Sequence, residues 1–434
     1  MINRPHILMS NSFSCLKKIF LSILLLMLVM EFSYAVERRR DQFGKDFGYF
    51  LFPLFVQIPG IGSASGAGAS FLNLFESDLD LTAVRLSGDF EVEVTTILDL
   101  HLIPEFLILD ATTYKYRVAT TEYDRGLKSD KDEFVLPEME GQSNLGQLTM
   151  SFAEREFEIF YRYERGQRNQ IRVLDNDENE FPNINTDSYQ VGMDQVGMIL
   201  DLTDDRLDPR YGFRYEAMKT TPYNEDELVS DFYYVDQNAT LYLPVPFVQW
   251  DTLVLNYFSS DATVTNQAST DVDELKKKLG LDCSNLTGTQ KTECEATETK
   301  IINERIALNK YGEARALGGS QRLRGYPFRR FKAGHALYYG LEYRLNLSDE
   351  FSPFNILIAK GHRTGLQIAF YGEKGSVADK KEDLTKKMLT TYGVGFRIIL
   401  SGIILRADVG FSEDEGSQFS ATINYPMSML AVGG

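Results

Sequence analysis

Residues 317–347 read LGGSQRLRGYPFRRFKAGHALYYGLEYRLNL, and this stretch decides the fold because it joins two different chemistries. Its first half is glycine-rich and basic, carrying Arg322, Arg324, Arg329, Arg330 and Lys332. Its second half alternates strictly. Leu337, Tyr339, Leu341, Tyr343, Leu345 and Leu347 fall on one face, and Gly340, Glu342, Arg344 and Asn346 on the other. A period of two marks a β-strand. One face seeks hydrocarbon and the other seeks water or polar partners, which is the pattern of a membrane barrel strand. The preceding Gly318-Gly319 and Arg324-Gly325-Tyr326-Pro327 read as a long loop with sharp turns. If that loop folds inward, its arginine needs a carboxylate partner, because an unpaired buried guanidinium is costly.

The segment from Gly319 to Phe328, centred on Arg324-Gly325-Tyr326, resembles the arginine-glycine-aromatic loop motif of the BamA/TamA superfamily of outer-membrane assembly and translocation barrels, the bacterial surface antigen family. Further segments resemble the same family. MILDLTDDRLDPRYGFRYEA (Met198 to Ala217) is similar to its recurrent strand, turn and strand, with Asp208, Pro209 and Gly212 as turn formers. IAFYGEKGSV (Ile368 to Val377) is similar to a strand in which an acid and a glycine follow aromatics, here Glu373 and Gly375, with glutamate replacing the more usual aspartate. TYGVGFRIIL and ILRADVGF resemble its penultimate pair. The stretch from Gln418 to Tyr425 resembles the C-terminal insertion signal, with Gln418, Ile423 and Tyr425 as its marks. Ser420 stands where glycine is common, and the chain continues to Gly434.

The resemblance implies an all-β, transmembrane antiparallel barrel of about 16 strands with the loop folded back into its lumen. It also implies that Arg324 is anchored against Glu342 and Glu373. Strand parity agrees, since Glu342 shares a face with Gly340 and Arg344, and Glu373 with Tyr371 and Gly375.

Composition and addressing point the same way. The chain has 434 residues, 12% of them aromatic; these are Phe and Tyr apart from Trp250, which suits interfacial girdles. A net charge of -17 argues against a nucleic-acid partner. Lys17 and Lys18 precede the apolar run Ile19 to Met30, and Ser33-Tyr34-Ala35 follows as a small-x-small cleavage site. Residues 1–35 therefore read as a secretory signal peptide and 36–434 as the barrel. No apolar run reaches the ~20 residues of a spanning helix. Cys15 lies inside the targeting segment and lacks a lipid-attachment context. Cys283 and Cys294, close together in an exported chain, read as a disulfide. A metal site is the competing reading, but His101, His335 and His362 lie at no ligand spacing from them. No metal or cofactor is expected.

Few residues separate Ala35 from the first apolar stretch, Phe47 to Ile58. The chain therefore reads as a short family member without periplasmic POTRA repeats. Pro53 places that first strand beside a weak pairing, because proline cannot donate to a ladder. The run from Gly60 to Ser70 reads as a tight turn of small residues. In the following strands Phe90, Val92 and Val94 oppose Asp89, Glu91 and Glu93, and Tyr114, Tyr116 and Val118 oppose Lys115 and Arg117. From Glu156 to Glu164, Phe157, Ile159, Tyr161 and Tyr163 alternate with Glu156, Glu158, Arg162 and Glu164. We read the aromatic faces as lipid-facing and the charged faces as lining a wet lumen. Residues 259–316 break the rhythm as a helical insertion in an extracellular loop.

No enzymatic activity is expected, since the histidines sit in no recognisable catalytic motif. The resemblance implies insertion, assembly or translocation of proteins at the outer membrane. A passive or selective channel and a surface scaffold are the alternatives. The partners expected are outer-membrane lipid, protein clients and a periplasmic partner.

Overall fold

The computed structural model describes residues 47–174, 180, 188–223, 225–245, 251–279, 283–284, 287–348, 354–356, 359–362, 364–400 and 403–427. The signal-peptide reading, Trp250 and the end of the chain lie outside these residues. The first strands are β1 (Gly48–Ile58), β2 (Gly62–Leu74), β3 (Leu79–Gly88), β4 (Glu91–Ile103), β5 (Leu107–Ala119), the short β6 (Glu122–Tyr123), β7 (Phe134–Phe152) and β8 (Phe157–Leu174). Next come β9 (Tyr189–Thr203), β10 (Gly212–Pro222), β11 (Asp231–Pro244), β12 (Thr252–Asn266) and β13 (His335–Asn346). The chain closes with β14 (Phe354–Ile356), β15 (Ala359–His362), β16 (Thr364–Ala378), β17 (Leu389–Leu400), β18 (Ile403–Ser412) and β19 (Gly416–Ile423). Sixteen of them form a closed antiparallel barrel; β6, β14 and β15 are accessory. An even strand number brings both ends of the wall to the same rim. Among the described residues no helix is long and apolar enough to cross a membrane.

Alternation builds the wall as the sequence predicts. On β13, Tyr339 and Leu341 face outward while Glu342 and Arg344 are buried inside. On β8, Tyr161 and Tyr163 face outward and Glu158 and Glu164 inward. The lumen is packed as well as charged. Loop residues Leu317, Leu323, Tyr326 and Phe331 join Phe258, Tyr338 and Met427 in one apolar cluster inside the barrel.

Four readings need correction. Residues 62–70 are strand, not turn: only Pro59 to Ile61 separate β1 from β2, which pair along their whole shared length. Small residues are needed there because the wall is tight. A Cβ at Gly68 would lie 2.3 Å from the ring of Phe52, and one at Gly66 would lie 1.9 Å from the Arg85 carbonyl.

Second, the faces of β4 and of the upper part of β5 are inverted. Phe90 is buried inside, Val92 and Val118 pack on the same internal cluster, and Tyr114 donates to the buried Glu164. Glu91, Glu93, Lys115 and Arg117 are exposed outside. These segments stand near the rim opposite the start of β1 and the end of β19, where neighbouring β7 and β8 run to 19 and 18 residues, far longer than the ~9–11 a bilayer requires. Above the hydrocarbon the outer face meets water, so charge belongs there.

Third, β12 continues to Asn266, so the insertion starts later than residue 259. It contains the helices Val272–Lys278, capped by Asp271, and Gly288–Tyr311. A disulfide joins Cys283 to Cys294. The long helix lies against the rim, with Lys300 2.9 Å from Asp124 and Glu304 accepting from the Arg125 N–H. Fourth, the last strand ends at Ile423, and Tyr425 leaves the wall.

Candidate functional site: an inward loop and a short seam

The loop between β12 and β13 turns back into the barrel and brings Arg324 against β13, β16 and β18. Arg324 is fully buried. Its Nε donates to Glu373 Oε1 at 2.8 Å, its backbone N–H to Glu373 Oε2 at 2.7 Å, and its Nη2 to Glu342 Oε2 at 3.1 Å. Its Nη1 lies 3.5 Å from Asp408, and its guanidinium lies 3.4 Å from the centre of the Tyr371 ring. Desolvated charge-assisted bonds of this kind are the strong ones.

The carboxylates are held in turn. Glu342 accepts two bonds from Arg397, at 2.6 and 2.9 Å, and one from Arg344 at 2.9 Å. Glu373 also accepts from the hydroxyls of Tyr338 and Thr391, both at 2.8 Å. Asp408 accepts from Arg406, which also donates to the Ser320 carbonyl. Buried charges survive only when paired and hydrogen-bonded, and here the pairing extends across β13, β16, β17 and β18.

Glycines let the loop approach. A Cβ at Gly375 would lie 3.0 Å from both Leu317 and Leu323, and one at Gly325 would lie 2.7 Å from the Phe411 backbone. Tyr326 packs edge-on against Phe331, with ring centres 4.9 Å apart. Arg329, by contrast, is half exposed beside Glu313. Arg322 is buried without a carboxylate partner among the described residues. It stacks over Phe258 at 3.8 Å and donates to the Met427 carbonyl.

The structure thus brings Arg324, Gly325, Tyr326, Glu342, Glu373 and Gly375 together. Gln418 and Ile423 lie on β19, Gln418 opposite Gly410 and Ile423 opposite Leu405, where Ile423 packs on the cluster of Phe52, Leu54 and Val56. Sequence reading missed Arg344, Arg397, Arg406, Asp408, Tyr338 and Thr391 as members. Parity was the available signal for Arg397, Arg406 and Asp408, which alternate with apolar residues in segments already singled out. His335 begins β13 and pairs with Asp261 at 2.8 Å.

The second element is the seam. β1 and β19 share one register pair, Gln57 with Ala421. The opposite edge of β1 is paired from Gly48 to Ile58 with β2, and β13 with β16 from His335 to Asn346. Near its start, β1 pairs instead with β15, Tyr49 opposite Lys360 and Phe50 opposite Ala359.

A sixteen-stranded barrel filled by its own arginine-bearing loop and closed by a nearly unpaired seam is an outer-membrane barrel by fold. No protein-family model and no curated protein sequence matches the chain. Among solved structures, CdiB from Escherichia coli aligns with a TM-score of 0.50 at 9% identity, covering 87% of this chain and 62% of CdiB. BamA from Haemophilus ducreyi lacking POTRA domains 1-3 aligns at 0.49 and 10% identity, covering 87% of this chain and 70% of that one. CdiB from Acinetobacter baumannii aligns at 0.47 and 10%, covering 87% and 59%. The chain therefore shares the barrel fold of E. coli CdiB, of which it spans about three fifths. A barrel fold of this type is what the loop motif implied.

Proposed function

We propose that the chain is a BamA/TamA-like barrel that acts in the insertion, assembly or translocation of proteins at the outer membrane. The observation that carries this reading is the seam. A wall that, among the described residues, has one register pair between its first and last strands and much longer ladders at its other junctions can part at one place without unfolding. An exposed strand edge in that gap can accept an extended client segment by adding it as a further strand. The likeness to CdiB supports the fold on which this reading rests. A passive channel is less well supported, because the loop, its ion pairs and Met427 occupy the lumen. The partners this role requires are a protein client, a periplasmic partner that delivers it, and the surrounding lipid.

The test is a lock. Gln57→Cys with Ala421→Cys places a disulfide at the one observed seam pair. The protein is reconstituted in liposomes and given a urea-unfolded model outer-membrane barrel, and client folding is read from its heat-modifiable migration. Oxidation should abolish acceleration of client folding and reduction should restore it. Client folding undiminished by the lock would overturn the reading.

A further inference from the structure

The outer face of β3, β4, β5, β7 and β8 is polar well above the apolar band, and its polar residues are laid out in rows. Across the ladders, Arg85, Glu93, Lys115, Gln142 and Gln167 stand side by side and point outward. One step toward the rim, Glu91, Arg117, Glu140 and Asn169 form the next row. One step in the other direction, Thr95, Thr113, Asn144 and Arg165 form a third. Further down the outward residues are Leu109, Leu148 and Tyr161, which belong to the apolar band. At the top, Glu138 is held between Arg117 and Arg172. From Asn144 to Glu138 the polar face of β7 climbs about 20 Å along the strand at roughly 3.3 Å per residue, or about 15 Å in height at a tilt near 40°. A phospholipid headgroup layer is only about 5–8 Å deep.

This face is dented. A cavity of about 550 Å³ is lined by both upper rows. An apolar groove of about 770 Å³ adjoins it over β1 to β4, lined by Leu51, Pro53, Ala67, Ala69 and Ala83, and the two share Arg85 and Glu93. A polar chamber joined to an apolar groove suits an amphipathic ligand. The charges narrow the choice. Arg85 lies 3.2 Å from Glu93 and Arg117 2.8 Å from Glu138, whereas Lys115 makes no ion pair among the described residues. Four cations, Arg85, Lys115, Arg117 and Arg172, are balanced by Glu91, Glu93, Glu138 and Glu140, so a bare anionic lipid gains little here. Amides are what the charges leave over. Gln142, Gln167 and Asn169 both donate and accept, as sugar hydroxyls do, and the Lys115 ammonium suits a phosphate. Glu91 and Glu140 are exposed beside them, where divalent cations that accompany sugar phosphates can be shared between carboxylate and phosphate.

We propose that this face binds a phosphorylated glycolipid of the outer leaflet, with acyl chains in the groove over β1 to β4 and sugar phosphates against Lys115, Gln142 and Gln167. The site stands toward the rim that carries the helical insertion, which is the extracellular rim of a barrel whose long loops face out of the cell. The height of the polar face selects a sugar-bearing headgroup over that of a phospholipid.

The test is native mass spectrometry of the folded protein in a nonionic detergent with magnesium, titrated with lipid A carrying its inner-core sugars and, separately, with phosphatidylglycerol. The glycolipid should bind at least tenfold more tightly than phosphatidylglycerol. Lys115→Ala with Gln142→Ala should weaken glycolipid binding at least tenfold, and Lys115→Ala alone serves if the double variant does not fold. Ala67→Phe, which fills the groove without touching charge, should weaken it severalfold. Lys374→Ala removes an exposed, outward cation on β16 and should leave binding unchanged. Heat-modifiable migration confirms that each variant is folded. Native affinity in the folded Lys115 and Ala67 variants would overturn the site, as would an equal loss in Lys374→Ala. Phosphatidylglycerol binding as tightly, and weakened by the same substitutions, would overturn the glycolipid assignment.

Discussion

The wall from β13 to β18 and the seam between β1 and β19 are built by opposite means. In the first, four strands and a loop are tied together by buried ion pairs, and Glu342 alone receives three guanidinium groups. In the second, two strands of ordinary β composition meet at one register pair. Each absent ladder bond forgoes roughly 0.5–1.5 kcal/mol net, so a few of them separate a junction that can open from one that cannot. The difference shows that this barrel is not uniformly stable. Its buried ion pairs are concentrated on the side that grips the loop, and its missing ladder bonds on the side where β1 meets β19.

That contrast can be broken most severely at Glu342. Glu342→Ala strips Arg324, Arg344 and Arg397 of their shared carboxylate in a fully buried site. The expected loss is about 3–5 kcal/mol, the usual consequence of breaking a buried pair. A lowered urea midpoint in detergent should record it, and a midpoint within error of the native protein would show that the network does not hold the wall.

A smaller effect is expected where the loop is displaced without touching charge. Gly375→Val adds bulk that meets Leu317 and Leu323 from the first carbon onward, and overpacking should cost about 1–3 kcal/mol. The same substitution should raise protease sensitivity between Arg322 and Arg330. Native sensitivity there would mean that the loop is not held by this contact.

The smallest effect should come from Arg329→Ala. Its partner Glu313 and its own guanidinium are both solvent-accessible, so the loss should stay below about 1 kcal/mol. A drop in urea midpoint as large as that of Glu342→Ala would place the loop anchor at the wrong arginine.

Much of the rigid side was legible in the sequence. Alternation over Leu337 to Leu347 required a strand with unlike faces, and parity placed Glu342 and Glu373 on the polar ones. The loop motif pointed to Arg324 as their partner, because a buried guanidinium demands carboxylates. Arg397 and Asp408 were missed: parity puts them on polar faces, but only the folded wall brings them to Glu342 and Arg324.

The seam was less legible. Pro53 pointed to a weak first strand, yet β1 pairs through Pro53 with β2 without interruption. The deficit arises from register, and register at closure is set by stagger accumulated around all sixteen strands. No local pattern contains it. The same limit explains Phe90, Tyr114 and Tyr116. A period of two establishes that the faces differ, but which face points inward depends on the height of each segment relative to the bilayer.

The sequence by itself determined strands with unlike faces, because periodicity is a local constraint, and the resemblance of Gly319 to Phe328 to the family loop motif implied that the arginine loop folds inward. Only the tertiary structure decided that β19 stops at Ile423 and that Tyr425 turns inward to Asp208. Those partners are far apart in the chain, and the contact exists only once the barrel has closed.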